Sequence, residues 1–196
     1  MDALVLLGNP GSQYQQTRHN VAWLAGDRMP ALRSRPRRRK FLGDYTGADF
    51  GDNRVHVLWP QTFMNRCGEA VGRLCVFFKI EPQRVLVVHD ELELPFGVVA
   101  LRRGGGLGGH NGLKSVRSAL TTSDFLRLRI GISRPRHGNV SSYVLSRFAP
   151  EEEASLDQIL DTAARIMEAC AGASTVAQQA AVLRDYARVA VQNRGQ

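Results

Sequence analysis

Two short apolar runs, ALVLLG at residues 3–8 and RVLVVH at residues 84–89, each stop abruptly at a group of polar residues. Continuous apolar runs of this length, bounded by turn formers, read as strands buried on both faces. Asn9-Pro10-Gly11 closes the first run and Asp90-Glu91 follows the second. A strand covered on both faces needs helices above and below it, and the rest of the chain supplies them. Residues 20–32, 66–79 and 111–120 carry apolar side chains at helical spacing, and in the second stretch Val71, Leu74, Cys75 and Phe78 share one face. Residues 44–50 and 54–59 read as a hairpin around Gly51-Asp52-Asn53. Residues 98–101 and 126–132 read as further strands, and residues 134–139 as a loop. Pro150 followed by Glu151, Glu152 and Glu153 starts a helix, because proline suits a first turn and carboxylates there meet the positive end of the helix dipole. That helix is predicted to run to residue 172, and a second from 174 to 191. Strands and helices interleave without a repeat or a long linker, so residues 1–196 are predicted to form one α/β domain with a helical C-terminus.

Composition narrows the function. No stretch approaches the roughly 18 uncharged apolar residues of a membrane span. The N-terminus MDALVLLGNPGS has no basic segment and runs straight into a turn, unlike a secretory signal. Cys67, Cys75 and Cys170 are odd in number and unrelated in spacing, which argues against disulfides and zinc and for apolar packing in a reducing cytoplasm. The net charge is +8, unevenly spread: residues 1–149 hold 22 basic and 11 acidic side chains, residues 150–196 hold 4 and 7. Of the 26 cations 23 are arginine, whose planar fork suits phosphate. A polyanionic partner on the body of the protein follows as an expectation. Residues 33–40, RSRPRRRK, carry six cations in eight positions and read as an exposed loop, either a solvated connection or a nucleic-acid contact.

Four segments place unusual polar residues at strand ends or in loops: Gly8-Asn9-Pro10-Gly11 through Tyr14 to Arg18-His19-Asn20; Thr62-Phe63-Met64-Asn65; His89-Asp90-Glu91-Leu92; and Gly108-Gly109-His110-Asn111-Gly112. The run Gly104-x-Gly106-x-x-Gly109 imitates a dinucleotide fingerprint, but the acid that should hold a ribose belongs at the end of the next strand, and Asp124 precedes that strand. No Gly-Lys-Ser/Thr follows, so a P-loop is excluded as well. His56 and His137 read as structural or solvated. His19 and Asp90 differ, because His19 follows a Gly-Asn-Pro-Gly turn at a strand end and Asp90 lies at a strand end, where α/β sheets bind ligands. If both strands are central, Asp90 can orient the His19 imidazole, and neutral His19 can deprotonate a water. No serine or cysteine sits in a nucleophile elbow, so water is the simpler nucleophile. Asn9, Asn65 and Asn111 add uncharged donors for an oxyanion or a peptide backbone, or else are turn formers.

In this order the segments resemble bacterial-type peptidyl-tRNA hydrolases. The matching stretches are LGNPGSQYQQTRHN (7–20), PQTFMN (60–65), HDELELPFG (89–97), GGGLGGHNGLKS (104–115) and RLRIGISRP (127–135). The resemblance implies a twisted mixed sheet flanked by helices. It implies hydrolysis of the ester between a peptide and the terminal ribose of tRNA, by a cytoplasmic enzyme acting as a monomer without metal or cofactor. His19 takes the place of the general base, Asp90 of its support, and Asn9 of the group that discriminates blocked from free aminoacyl ends. Tyr14, Phe63, Asn65 and Asn111 match positions that bind the tRNA or peptide end, and Met64 and His110 match residues lining the cleft. Arg102 and Arg129 match basic residues that clamp a tRNA phosphate. Trp59, Phe96 and Leu107 depart from the common pattern, which bears on the tRNA contact and the cleft rim. Two other readings stay open: a non-catalytic RNA-binding relative with the same fold, and a hydrolase of small esters.

Overall fold

The computed structural model describes residues 1–135 and 137–191. An eight-stranded sheet in the order β2-β3-β4-β1-β5-β7-β6-β8 forms its centre. The inner strands β4 (Asn53–Pro60), β1 (Ala3–Leu6), β5 (Val85–Glu91) and β7 (Leu126–Gly131) are mutually parallel. At one side β3 (Gly43–Phe50) and β2 (Arg38–Lys40) are added antiparallel. At the other, β6 (Val98–Arg103) and β8 (Val189–Ala190) are added antiparallel. The expected mixed sheet is present.

Parallel neighbours require crossovers, and these cover both faces. α1 (Val21–Gly26), α2 (Pro30–Arg33) and α6 (Pro150–Gly172) pack against one face, α3 (Cys67–Phe78) and α4 (Asn111–Leu120) against the other. The strand period of two divides β1 between the layers: Leu4 and Leu6 enter the first core, Ala3, Val5 and Leu7 the second. β5 divides likewise, Leu86 and Val88 against Val85 and Val87. Both runs are apolar throughout because both of their faces are covered. After β1 the chain leaves toward β4, and after β5 toward β7. The carboxyl ends of β1 and β5 therefore border the crevice where such sheets place ligands.

Three features differ from the sequence reading. Residues 38–40, expected in a loop, form β2, because their exposed edge needs only backbone pairing and tolerates charge. The cations around it are largely engaged: Arg35 reaches Asp49, Arg37 reaches Asp27 and lies over the Trp59 ring, and Arg39 reaches Asp44. The last helix, α7, covers only Val176–Asp185, and Val189–Ala190 pairs with β6 instead of continuing it. A short helix, α5 (Val140–Val144), follows the predicted loop, capped by Asn139, whose side chain accepts from the Ser141 N–H. Arg136 of that loop lies outside the described residues. Among the described residues no helix is long and apolar enough to cross a membrane. The three cysteines are buried, and burial pushes the Cys67 and Cys170 thiols up to about 12 and Cys75 up to about 11, which leaves them poor nucleophiles.

Candidate active site

A cleft of about 490 Å³ opens at the carboxyl ends of β1 and β5. Its lining joins Asn9, His19, Met64, Asp90, His110 and Asn111, drawn from all four motif segments. Phe63, 57% exposed, and Asn65 complete one rim. Val140, Ser141, Val144 and Leu145 of α5 and its end form the facing wall, which the sequence did not suggest.

His19 and Asp90, 71 positions apart, meet: His19 Nδ1 lies 2.8 Å from Asp90 Oδ1. His19 stands in a 3-10 turn, Arg18–Asn20, immediately before α1. Asp90 is 2% exposed, at the end of the most apolar strand. The same Asp90 oxygen also meets His110 Nε2, at 2.9 Å. His110 caps α4, and its Nδ1 accepts the backbone N–H groups of Gly112 and Leu113. A nitrogen that accepts carries no proton, so the His110 ring proton sits on Nε2 and is donated to Asp90. Burial alone would push the Asp90 carboxyl up, but the two imidazoles outweigh it and hold the group well below the usual carboxylate range. Asp90 is therefore an anion at neutral pH. It accepts the Nδ1–H of the neutral His19 ring as a hydrogen bond, which leaves Nε2 as the nitrogen free to accept a proton.

Asn9 is fixed from three directions. Its side-chain oxygen accepts the Met64 N–H at 2.8 Å. Its backbone N–H donates to Asn20 Oδ1 and its carbonyl accepts from Asn20 Nδ2, both at 2.9 Å. With Oδ1 occupied, the amide NH₂ of Asn9 is left to the cleft. Asn20, fully buried, is a supporting residue the sequence reading passed over. Gly112 is required by close approach, because a Cβ there would lie 2.5 Å from Met64 Sδ and 2.9 Å from the His110 ring.

The other expected residues divide. Tyr14 is half-buried in the 3-10 turn Ser12–Tyr14 and is not part of the cleft lining. Arg102 is exposed beside the glycine loop. Arg129 is 2.9 Å from Glu91 Oε2, with only 17% of its side chain exposed, so its charge is already matched. Arg127, directly opposite Arg102 in the β6–β7 register, is a further basic residue that the sequence reading does not name as a site residue. Its buried guanidinium donates to the carbonyls of Gly104 and Gly106 and so pins the loop that ends at Gly108 and Gly109 on the cleft rim. Gly104, Gly105, Gly108 and Gly109 all have positive φ, a path other residues resist. The alternation Arg127-x-Arg129 on a strand was the available signal, since both must point to one face.

His19, Asp90 and His110 also place ligand-type atoms within 4.8 Å of one another. Two ordinary hydrogen bonds already join these atoms, and the other nitrogen of His110 is used in capping. A metal ion would have to displace both bonds, so the donor set fits a hydrogen-bonded triad better than a metal site.

His89 lies beneath this triad, its Nδ1 donating to the Asp90 carbonyl at 2.7 Å and its ring edge-on to His110. Burial, and then the neighbouring His110, lowers its pKa well below the ordinary value. Below about pH 6.5 the unfolded chain takes up this proton and the folded one does not, so stability falls with pH. His56, lowered by burial and by Arg54, acts in the same direction. Melting temperature should drop between pH 7 and pH 5, and His89→Gln should flatten that drop by roughly 2–4 °C, the worth of about 1 kcal/mol in a chain of this size. An unchanged slope would remove His89 from the account.

Known proteins resemble this chain over most of its length. Residues 3–189 match the sequence profile of the family described as peptidyl-tRNA hydrolase. The peptidyl-tRNA hydrolase of Treponema pallidum is 48% identical over 161 residues, 80% of each chain. That of Pelobacter propionicus is 45% identical over 169 residues, 86% of this chain and 88% of its own. The crystal structure of peptidyl-tRNA hydrolase from Acinetobacter baumannii superposes with a TM-score of 0.82 at 34% identity, covering 95% of this chain and 96% of that one.

Proposed function

The chain belongs to the peptidyl-tRNA hydrolase family and is an enzyme that hydrolyses peptidyl-tRNA, and we propose that it does so in the cleft between β1 and β5 with His19 as general base. The observation that carries this reading is the 2.8 Å bond from His19 to a buried, ionised Asp90. His19 Nε2 takes a proton from water, and the water oxygen attacks the ester carbonyl carbon. The carbonyl oxygen becomes an oxyanion, for which the NH₂ groups of Asn9, Asn65 and Asn111 are the available donors. As the intermediate collapses, the C–O bond to the ribose breaks and the departing oxygen receives the proton from His19. Asp90 stabilises the imidazolium in between. The products are a peptide carboxylate and a tRNA with a free terminal hydroxyl. A non-catalytic RNA binder has no use for an oriented base, and that alternative is not favoured. Release of the acyl group from N-acetylaminoacyl-tRNA tests the assignment directly. A tRNA-free ester reacting equally well would favour the small-ester reading instead.

Exposed Arg102 is our candidate for a phosphate contact, with Arg129 supporting the same wall through Glu91. Phosphate contacts position a substrate without reading its sequence, and they weaken with salt. Raising the salt should raise KM for peptidyl-tRNA while kcat at saturation stays within about twofold, and Arg102→Ala should lower the slope of log KM against log salt by about 1. A KM indifferent to salt would count against a basic docking surface.

A further inference from the structure

Arg18 stands beside the general base, yet the mechanism above does not use it. Its side chain is only 6% exposed. The guanidinium grips Glu152 with two parallel bonds, Nη1 to Oε1 at 2.9 Å and Nη2 to Oε2 at 2.5 Å. It lies over the Tyr143 ring at 4.3 Å and the Phe148 ring at 5.0 Å. Its backbone N–H donates to the Ser146 carbonyl, and the preceding Thr17 bridges Arg147. Glu152 in turn accepts the Ala149 N–H at the start of α6. Tyr143 is itself tied to the end of β7 through its hydroxyl, which donates to the Ile132 carbonyl.

One side chain thus joins the turn that carries His19, the helix that forms the facing wall, and the longest helix of the molecule. The two walls come from distant parts of the chain, and Asp90 holds His19 only from below. We propose that Arg18, clamped by Glu152, is a positioning residue that fixes the spacing between His19 and the α5 wall. It thereby governs turnover and the size of acyl group that turns over fastest. Val140 and Leu145, each 38% exposed, are the apolar surfaces of that wall. An acyl group lying between them and the base feels any change in spacing. The proposal rests on the reading of His19 as base.

The decisive variant replaces the ion pair by an apolar one, R18M/E152L. Such replacements can preserve stability while removing a directional fork. With wild-type melting temperature restored, kcat should remain at least about tenfold down, because small displacements of a reacting group cost one to two orders of magnitude. KM should stay within about twofold, because tRNA contacts dominate it. The kcat/KM preference between N-acetylphenylalanyl and N-acetylglycyl esters on one tRNA body should shrink toward unity. R18K, which keeps the charge and loses the fork, should show the same split, measured well below its melting temperature. Wild-type kcat and wild-type preference in R18M/E152L overturn the proposal, and if that variant does not fold, the same result in R18K overturns it. His19→Ala serves as the separate control: full activity there defeats the assignment of the base, whereas activity lost there and kept in R18K defeats only the positioning role.

Discussion

His19→Ala is expected to release the acyl group from N-acetylaminoacyl-tRNA about a thousandfold more slowly than the wild type while remaining folded. A factor of a thousand corresponds to about 4 kcal/mol of transition-state stabilisation, the upper part of the range for an oriented general base. Among the described residues, the other imidazole in the cleft cannot take over. His110 Nδ1 accepts two backbone N–H groups, and Nε2 donates to Asp90. Asp90 cannot serve either, because both imidazoles converge on its Oδ1 and the group is buried. The folded state should survive because His19 belongs to neither core cluster. Its loss removes one of the two imidazole bonds to Asp90, a cost of about 1–3 kcal/mol. Substrate binding should change little, since Arg102, the proposed phosphate contact, is not part of the cleft lining. Single-turnover rates together with a melting curve settle the matter. A variant that folds and keeps even a tenth of wild-type activity would exclude His19 as base.

The parts of this site that were legible in the sequence are those that depend on local chemistry. β1 and β5 announced themselves because strands covered on both faces must be apolar at every position. The convergence of His19 and Asp90 then followed from where two central parallel strands end. α3, α4 and α6 followed from apolar spacing and, at Pro150, from helix-start chemistry. What was not legible depends on contacts between distant segments. α5 is five residues long, too short for a period to register. β8 exists only because β6 offers it an edge to pair with. Residues 38–40 carry charge at every position and still form a strand, because an edge strand needs no apolar face. Arg127 and Arg129 alternate on one strand, yet the sequence reading names only Arg129. One holds glycine carbonyls and the other a carboxylate, a difference set by the glycine loop and by Glu91. His110 matched a cleft-lining position, but its bond to Asp90 depends on its ring capping α4, and no single-residue signal carries that.

The shared oxygen of Asp90 makes the second large effect unusual in form. Where an aspartate supports a catalytic histidine alone, replacement by asparagine can turn an amide N–H toward the ring and force the wrong tautomer, at a cost near 10⁴-fold. Here two ring N–H groups, from His19 and His110, point at one oxygen. His110 cannot reverse its tautomer without abandoning the cap of α4. An asparagine at position 90 is therefore held with its oxygen toward both rings, because the opposite orientation would set its NH₂ against the His110 N–H. Geometry survives and only the negative charge is lost. Bonds to charged groups are worth about 1.5–3 kcal/mol against about 1 for neutral ones, so the lost difference of about 0.5–2 kcal/mol should slow turnover of Asp90→Asn by roughly 2- to 30-fold. Asp90→Ala removes the acceptor as well, frees the His19 imidazole to rotate while His110 stays held by its cap of α4, and should fall roughly another tenfold while staying above His19→Ala, which lacks the base itself. The expected order of kcat is wild type, D90N, D90A, H19A, with KM for N-acetylaminoacyl-tRNA nearly constant across the series. If D90N instead sank to the level of H19A, the asparagine would have reversed the His19 tautomer. His110 would then not be the group that dictates which way residue 90 faces.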